Sequence, residues 1–473
     1  MSAGTPASVR TPVREHIPSV LVAALSAAFG VGLLQITGFM AAAIAGDDVT
    51  GSSRTAGVLL SMVAIVFIVI AVYVSAIITA NTFATIVAGR ARSIALLRLL
   101  GSSANAQRTA IATEGLFVGV VGTIIGAAIG TGVAFGLGRI AIGTGVVPEV
   151  SYGYWDPVLI LPLVGVILTT WVASWVGSRR VLSVTPLQAL GGSEELSREE
   201  AVKRPARNAL AMVLTIAGFG LLFLGIVVGL ANPIGVLVGL VGGILSFTGI
   251  VFAADLIMPP ALRLVGRMLG RSAAARLAAE NALRHPQRSS RATIGLVIGV
   301  TLLMTFGVAM ATWQQIILAA QAAQPEVYQG IDQMITAMVT IFSILIGFSG
   351  IIAAVGLVNN LSLSVLQRTR ELGLLRALGF SVQQLRRMIL SESAQLTLTA
   401  VLLGIVLGGF YGWAGAQSLL GSISGAPGLI FPAVPWVILV VVVGGGALLT
   451  AIASWAPTRR ATRVSPITAL AVE

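Results

Sequence analysis

Cysteine is absent from the 473 residues, histidine occurs twice and lysine once. Each shortage closes off a class of chemistry. Without cysteine there is no disulfide framework, thiolate metal site or thiol nucleophile. His16 and His285 lie far apart in sequence, so no metal site is assigned. The one lysine, Lys203, is followed by Arg204. A Walker phosphate loop requires Gly-x-x-x-x-Gly-Lys-Ser/Thr, so the chain has none. No hydrolytic triad is supportable. The chain is read as no enzyme, without catalytic residues and unable to hydrolyse ATP by itself.

Charge is scarce too. Only 10% of residues are charged, against about 25% in a soluble domain. Hydrophobic residues make up 56%, and the mean hydropathy is +0.97. Such a surface requires lipid as its solvent. A helix needs roughly 20 apolar residues to cross the hydrocarbon core. Ten segments qualify, at about 19–44, 57–80, 111–137, 158–176, 209–230, 234–257, 293–313, 335–357, 394–416 and 435–455. The first follows a polar stretch and is too long for a signal-peptide core, so it reads as a retained span. The fifth and sixth meet at Ala231-Asn232-Pro233, a tight turn.

The net charge of +12 is topological. Sorting by alternate loops puts all Lys and Arg on one side except Arg54 and Arg139. The other side holds Asp47, Asp48, Glu149, Asp156, Glu326 and Asp332. Basic loops stay cytoplasmic, which places both termini inside and gives the basic face to anionic membrane lipids. Nucleic acid is not an expected partner. The outer loops reach only about twenty residues (138–157 and 314–334), too short for a sizeable extracellular domain.

An internal repeat organises the chain. Asn81, Arg90, Arg92, Leu96, Arg98 and Gly101 recur 278 residues later as Asn359, Arg368, Arg370, Leu374, Arg376 and Gly379. Glu114, Gly126 and Gly130 recur at the same offset as Glu392, Gly404 and Gly408. Ser174-Trp175, Arg179-Arg180, Pro186 and Leu190 recur at offset 280 as Ser454-Trp455, Arg459-Arg460, Pro466 and Leu470. The spacing covers an even number of spans, so both copies share one orientation, the parallel-repeat arrangement. The fold class expected is an all-α membrane protein of ten transmembrane helices. Residues 1–190 form the first four-helix unit, 191–262 a linker and central two-helix hairpin, and 263–473 an elbow helix and the second four-helix unit.

Four features stand out. The repeated segments 90–101 and 368–379 are basic and partly amphipathic, and each ends in a glycine suited to a helix end. They read as short cytoplasmic helices that dock on a partner, with Ser93 standing where the second copy has Glu371. Gly122, Gly126 and Gly130 stripe the third span; Gly404, Gly408 and Gly412 stripe the ninth. Small residues let helices approach closely in lipid, in a static or a sliding contact. A stretch over 273–283, before Arg284-His285-Pro286, reads as an elbow helix in the interface. Asp255, an acid near a membrane boundary, is expected to pair with the basic stretch that starts at Arg263.

The stretch from Asn359 to Glu392, the Arg459-Arg460…Ser465-Pro466…Ala469-Leu470 tail and the Asn281…Arg284-His285-Pro286 elbow strongly resemble the FtsX-like permease domain of MacB-type ABC transporters. The resemblance covers both four-helix units, and the central hairpin matches the ten-helix, single-chain form of the family. It implies a permease in the bacterial inner membrane, served by a separate cytoplasmic ATPase dimer that would hold the ATP and Mg. It implies that Arg90, Arg92, Leu96, Arg98, Gly101, Arg368, Arg370, Glu371, Leu374, Arg376 and Gly379 couple the chain to that ATPase. The function expected is export or extraction of an amphiphilic compound or peptide, by a groove between the four-helix units open to the outer leaflet. A regulatory mechanotransmitter acting on envelope enzymes, and a secondary transporter, are the alternatives. An extracytoplasmic partner and the substrate-binding residues are left open.

Overall fold

A backbone surrounded by lipid must satisfy its hydrogen bonds within itself, and helices do so segment by segment. The computed structural model follows that rule. It describes residues 17–45, 101–143, 157–179, 205–268, 286–327 and 381–463, with scattered positions in 62–99 and 335–351 and Gly379. Nine α-helices and no strand occur among the described residues. They are α1 (Ile17–Ala45), α2 (Ala104–Gly143), α3 (Ile160–Gly177), α4 (Pro205–Gly229), α5 (Gly235–Phe252), α6 (Ala254–Met268), α7 (Pro286–Ala323), α8 (Val382–Leu420) and α9 (Trp436–Arg463).

Among the described residues seven helical stretches are long and apolar enough to cross a membrane. They correspond to the first, third, fourth, fifth, sixth, seventh and ninth spans read from sequence. The second is represented by a shorter apolar helix, Ile65–Val74, and the tenth by the apolar portion Trp436–Leu448 of α9. The eighth is helical wherever it is described. The protein is an all-helical, multi-pass membrane protein.

The chain divides into two compact units, Met1–Glu194 with Asp332–Ala337, and Glu195–Ile331 with Met338–Glu473. In the first, α2 packs along α1 and α3 packs on both. Ala23 and Ala27 of α1 are buried with Val166 of α3, while Val31 and Leu34 meet Leu159. In the second, α7, α8 and α9 surround a core of Val297, Val300, Met304, Leu396, Ala400 and Val442.

The second unit also carries α4, α5 and α6. The turn between α4 and α5 is the expected one: Asn232 Oδ1 accepts the Ile234 amide at 3.0 Å. The hairpin packs against α8. Beyond it the sequence reading needs two corrections. The sixth span does not run on to 257 but breaks at Ala253, where the amphipathic α6 begins. Asp255 pairs with Arg207 at 3.0 Å rather than with the stretch at Arg263. Both partners lie at the open end of the hairpin, so its antiparallel path brings them together. The expected elbow over 273–283 lies outside the described residues.

Candidate coupling segments and helix seams

The two repeated segments end alike. Gly101 and Gly379 have φ of 98° and 95°, the left-handed region that favours glycine. Among the described residues a Cβ at either would meet nothing within 4 Å, so the demand seen there is on the backbone. In the first copy the Ser102 amide donates to Leu97 O at 3.0 Å, the bond that closes a helix whose next residue is left-handed. Leu96 and Leu99, on that last turn, are exposed. Arg90, Arg92, Arg98, Arg368, Arg370, Glu371, Leu374 and Arg376 lie outside the described residues.

After each glycine a serine starts the next long helix. Ser103 Oγ accepts the Ala106 amide at 3.1 Å. Ser381, its counterpart, forms a full capping box. Its Oγ accepts the Gln384 amide at 3.2 Å, and its own amide donates to Gln384 Oε1 at 2.9 Å. Each repeat therefore delivers its chain into a rigid helix, α2 or α8, through one fixed turn.

Those two helices carry the glycine stripes, and both stripes lie in helix seams. Gly122, Gly126 and Gly130 face α1. A methyl group on Gly126 would sit 2.6 Å from Ala27 Cβ and 2.9 Å from the Ala28 nitrogen, and would press on Ala24 O. On Gly130 it would sit 2.6 Å from Ala28 O and 3.0 Å from the Gly32 nitrogen. Gly404, Gly408 and Gly412 face α7. There a methyl group on Gly404 would sit 2.6 Å from Val300 Cβ, while on Gly408 and Gly412 it would press on Thr301 O and Thr305 O, beside Met304 Cβ at 2.6 Å and Val308 Cβ at 3.0 Å. In the first unit Gln35 Nε2 also reaches Thr131 Oγ1 across the seam at 3.2 Å.

Two contacts were missed by sequence reasoning. The hairpin is a glycine seam as well. Gly225 approaches Gly239, where a Cβ would lie 2.6 Å from the backbone nitrogen, and Gly242 meets Gly218 O at 2.7 Å. The signal was available: Gly218 and Gly225, like Gly235, Gly242 and Gly249, recur every seven residues. The hairpin docks on α8 through Gly229 against Ser418, an edge-on Phe219–Phe410 pair at 5.5 Å, and a Tyr411–Ser246 hydrogen bond of 3.0 Å. Ser246 Oγ donates to Gly243 O, so the tyrosine hydroxyl is the donor of the pair. The second is Gln395, 2% exposed, whose Nε2 donates to Leu262 O of α6 at 2.8 Å.

At the far end of α8 the chain 421–435 folds over the helices. Trp413 Nε1 donates to Ile430 O at 2.6 Å, Gln417 Nε2 to Gly428 O at 2.8 Å, and the Ala433 amide to Thr312 Oγ1 at 3.2 Å. Beneath it lies a cavity of about 520 Å³, walled by Met304, Val308, Phe410, Trp413, Phe431 and Pro435 among others. Its wall side chains are all apolar and the indole N–H is already used, so it offers hydrocarbon no polar competitor.

Comparison with known proteins agrees with this architecture. Three curated proteins align with this chain, over 148, 131 and 148 residues. The uncharacterized ABC transporter permease YknZ of Bacillus subtilis is 34% identical over 31% of this chain and 35% of its own. The ABC transporter permease YtrF of the same organism is 33% identical over 25% and 29%. The macrolide export ATP-binding/permease protein MacB of Rhodopirellula baltica is 29% identical over 31% and 20%. The match thus spans about a third or less of each relative's length. The family description "FtsX-like permease C-terminal" fits twice, over residues 65–186 and 343–466. Each match encloses one of the repeated basic segments, its left-handed glycine and its glycine-striped helix, and together they take in more than half of the sequence; the chain belongs to the FtsX-like permease family.

Proposed function

We propose that this chain is the transmembrane permease of an ABC transporter, driven by a separate cytoplasmic ATPase dimer, and that it exports or extracts an amphiphilic compound or peptide. The observation that carries the reading is the doubled family match, each copy ending its basic segment at a left-handed glycine that leads into a long helix. A docking helix fixed to a rigid helix passes a push on its basic face along the membrane normal. ATP and Mg belong to the ATPase in this reading, and both termini of the permease are cytoplasmic in the inner membrane. An amphiphilic cargo is supported by the apolar cavity under 421–435, which suits a hydrocarbon tail.

The test is co-purification with the ATPase, followed by ATPase activity with and without the permease. Glu371 is an acid amid arginines, and Ser93 replaces it in the first copy. Glu371→Ala is expected to lower permease-stimulated ATPase activity about tenfold, the ratio that corresponds to roughly 1.4 kcal/mol. Ser93→Ala is expected to leave it nearly unchanged. A permease that neither binds nor stimulates the ATPase overturns the assignment. Equal losses in the two variants overturn only the asymmetry.

A further inference from the structure

Where α2 begins and α3 ends, two guanidiniums share one indole. Arg108 Cζ lies 4.6 Å from the Trp175 ring centroid and Arg179 Cζ 5.3 Å from it. The two charges are therefore no further apart than the sum of those distances, about 10 Å. Among the described residues neither has a carboxylate partner. Arg108 Nε reaches Ser178 Oγ only at 3.5 Å, long for such a bond. One terminal nitrogen of Arg108, Nη2, is buried with no acceptor at all. Trp171, Val172 and Val176 beside them present apolar side chains outward, as a lipid-facing surface does.

An arginine pair left in this state at a membrane boundary is costly, and an anion is what would relieve it. A guanidinium fork binds phosphate oxygens in pairs, while a tryptophan at the boundary seats the amphipathic region of a lipid. Packing alone, with Arg108 tying α2 to α3 over the indole, accounts for the stacking but not for the buried, unpaired nitrogen. The sequence repeats the set. Arg108 recurs as Arg386 at offset 278, and Trp175, Ser178 and Arg179 recur as Trp455, Thr458 and Arg459 at offset 280. Arginine, indole, hydroxyl and arginine thus survive in both halves, which have diverged at Ser93 and Glu371 and at Phe117 and Gln395. The side chains of Trp455 and Arg459 lie outside the described residues.

We propose that Arg108, Trp175, Ser178 and Arg179 form a binding site for the phosphate headgroup of an anionic phospholipid. In the orientation proposed above it lies in the cytoplasmic leaflet, but the lipid site does not depend on any transport activity. The bound phospholipid fixes the end of α3 to the start of α2, next to the turn at Gly101.

The test is native mass spectrometry and thermal unfolding of the purified full chain in detergent, with added phosphatidylglycerol, phosphatidylcholine or inorganic phosphate. The wild type is expected to retain phosphatidylglycerol and to gain several degrees in Tm from that lipid alone. Arg108→Gln and Arg179→Gln are each expected to retain one lipid fewer and to lose most of the gain. Arg108→Lys, which keeps the charge, is expected to restore part of it. A wild type that responds equally to the two phospholipids overturns the proposal. So does a loss of Tm in Arg108→Gln that is the same with and without phosphatidylglycerol, which makes the arginine a packing residue only. A gain of the same size from inorganic phosphate assigns the site to a free anion and overturns the lipid. If Arg108→Gln does not fold, the wild-type lipid count and the Arg179→Gln count decide.

Discussion

The seams α1–α2 and α7–α8 use one device against different opponents. Each places glycines four apart along the long helix of its repeat. In the first seam they meet Ala24, Ala27, Ala28 and Gly32, so that both walls are small and backbone faces backbone. In the second, Gly408 and Gly412 likewise press on the main chain of α7, at Thr301 O and Thr305 O, but Gly404 meets the side chain of Val300 first. The first seam is a close approach of small residues throughout; the second adds one valine knob over a glycine. Without a hydrophobic drive between helices in lipid, both must be held by packing, but at Gly404 the nearest neighbour is a side chain that can be trimmed to accommodate a change.

That difference sets the largest expected effect. Gly126→Ala is expected to cost about 3 kcal/mol of folding stability in bicelles, the upper end for overpacking, because Ala24 O and the Ala28 nitrogen cannot move without α1. Gly404→Ala is expected to cost about 1–2 kcal/mol, and Val300→Ala added to it to return part of that loss by removing Val300 Cγ1. Ala27→Gly is expected to give no comparable rescue of Gly126→Ala. Equal costs and equal rescue would erase the distinction between the seams.

A smaller effect sharpens the contrast on the opposite faces of α2 and α8. At matching positions of the repeat, Gln395 is buried against α6 while Phe117 is 65% exposed. Gln395→Leu is expected to cost on the order of 1 kcal/mol, within the range measured for buried polar contacts in membranes. Phe117→Leu is expected to be neutral in the same unfolding measurement. The smallest effect is Tyr411→Phe, at about 0.6 kcal/mol, since Ser246 keeps its bond to Gly243 O. A loss several times larger would mean that the hairpin is held on α8 by that hydroxyl and not by the aromatic and glycine contacts.

How much of this was legible follows from the kind of signal each feature leaves. The seam glycines and the turns at Gly101 and Gly379 repeat at a constant offset, so the sequence marks them directly. The apolar runs mark most of the spans, though not their ends: α2 covers forty residues and extends past both ends of its apolar core. The docking of the hairpin on α8 left no offset, because only the second half has it. The glycines spaced by seven in 218–249 carried a signal of close helix contact that went unread, and nothing in that spacing points to α8. Gln395 is one of several polar residues between Ser391 and Thr399 and does not stand out among them, since its acceptor is a main-chain carbonyl 133 residues away. Asp255 was assigned by proximity in sequence to the arginines after it, whereas antiparallel helices bring Arg207 to it from before.

The open surroundings of Gly101 and Gly379 carry a last consequence. Among the described residues nothing crowds either α-carbon, and what the positive φ at the two joints selects is handedness. Alanine there forces an L-residue into a torsional well that belongs to its mirror image, at about 1–2 kcal/mol, while asparagine enters it more readily. A D-alanine, larger than the glycine it replaces, sits in that well without strain. Tolerance at the two joints therefore runs by chirality, in contrast to the seams, where an L-alanine adds a methyl group to a helix with no room for one.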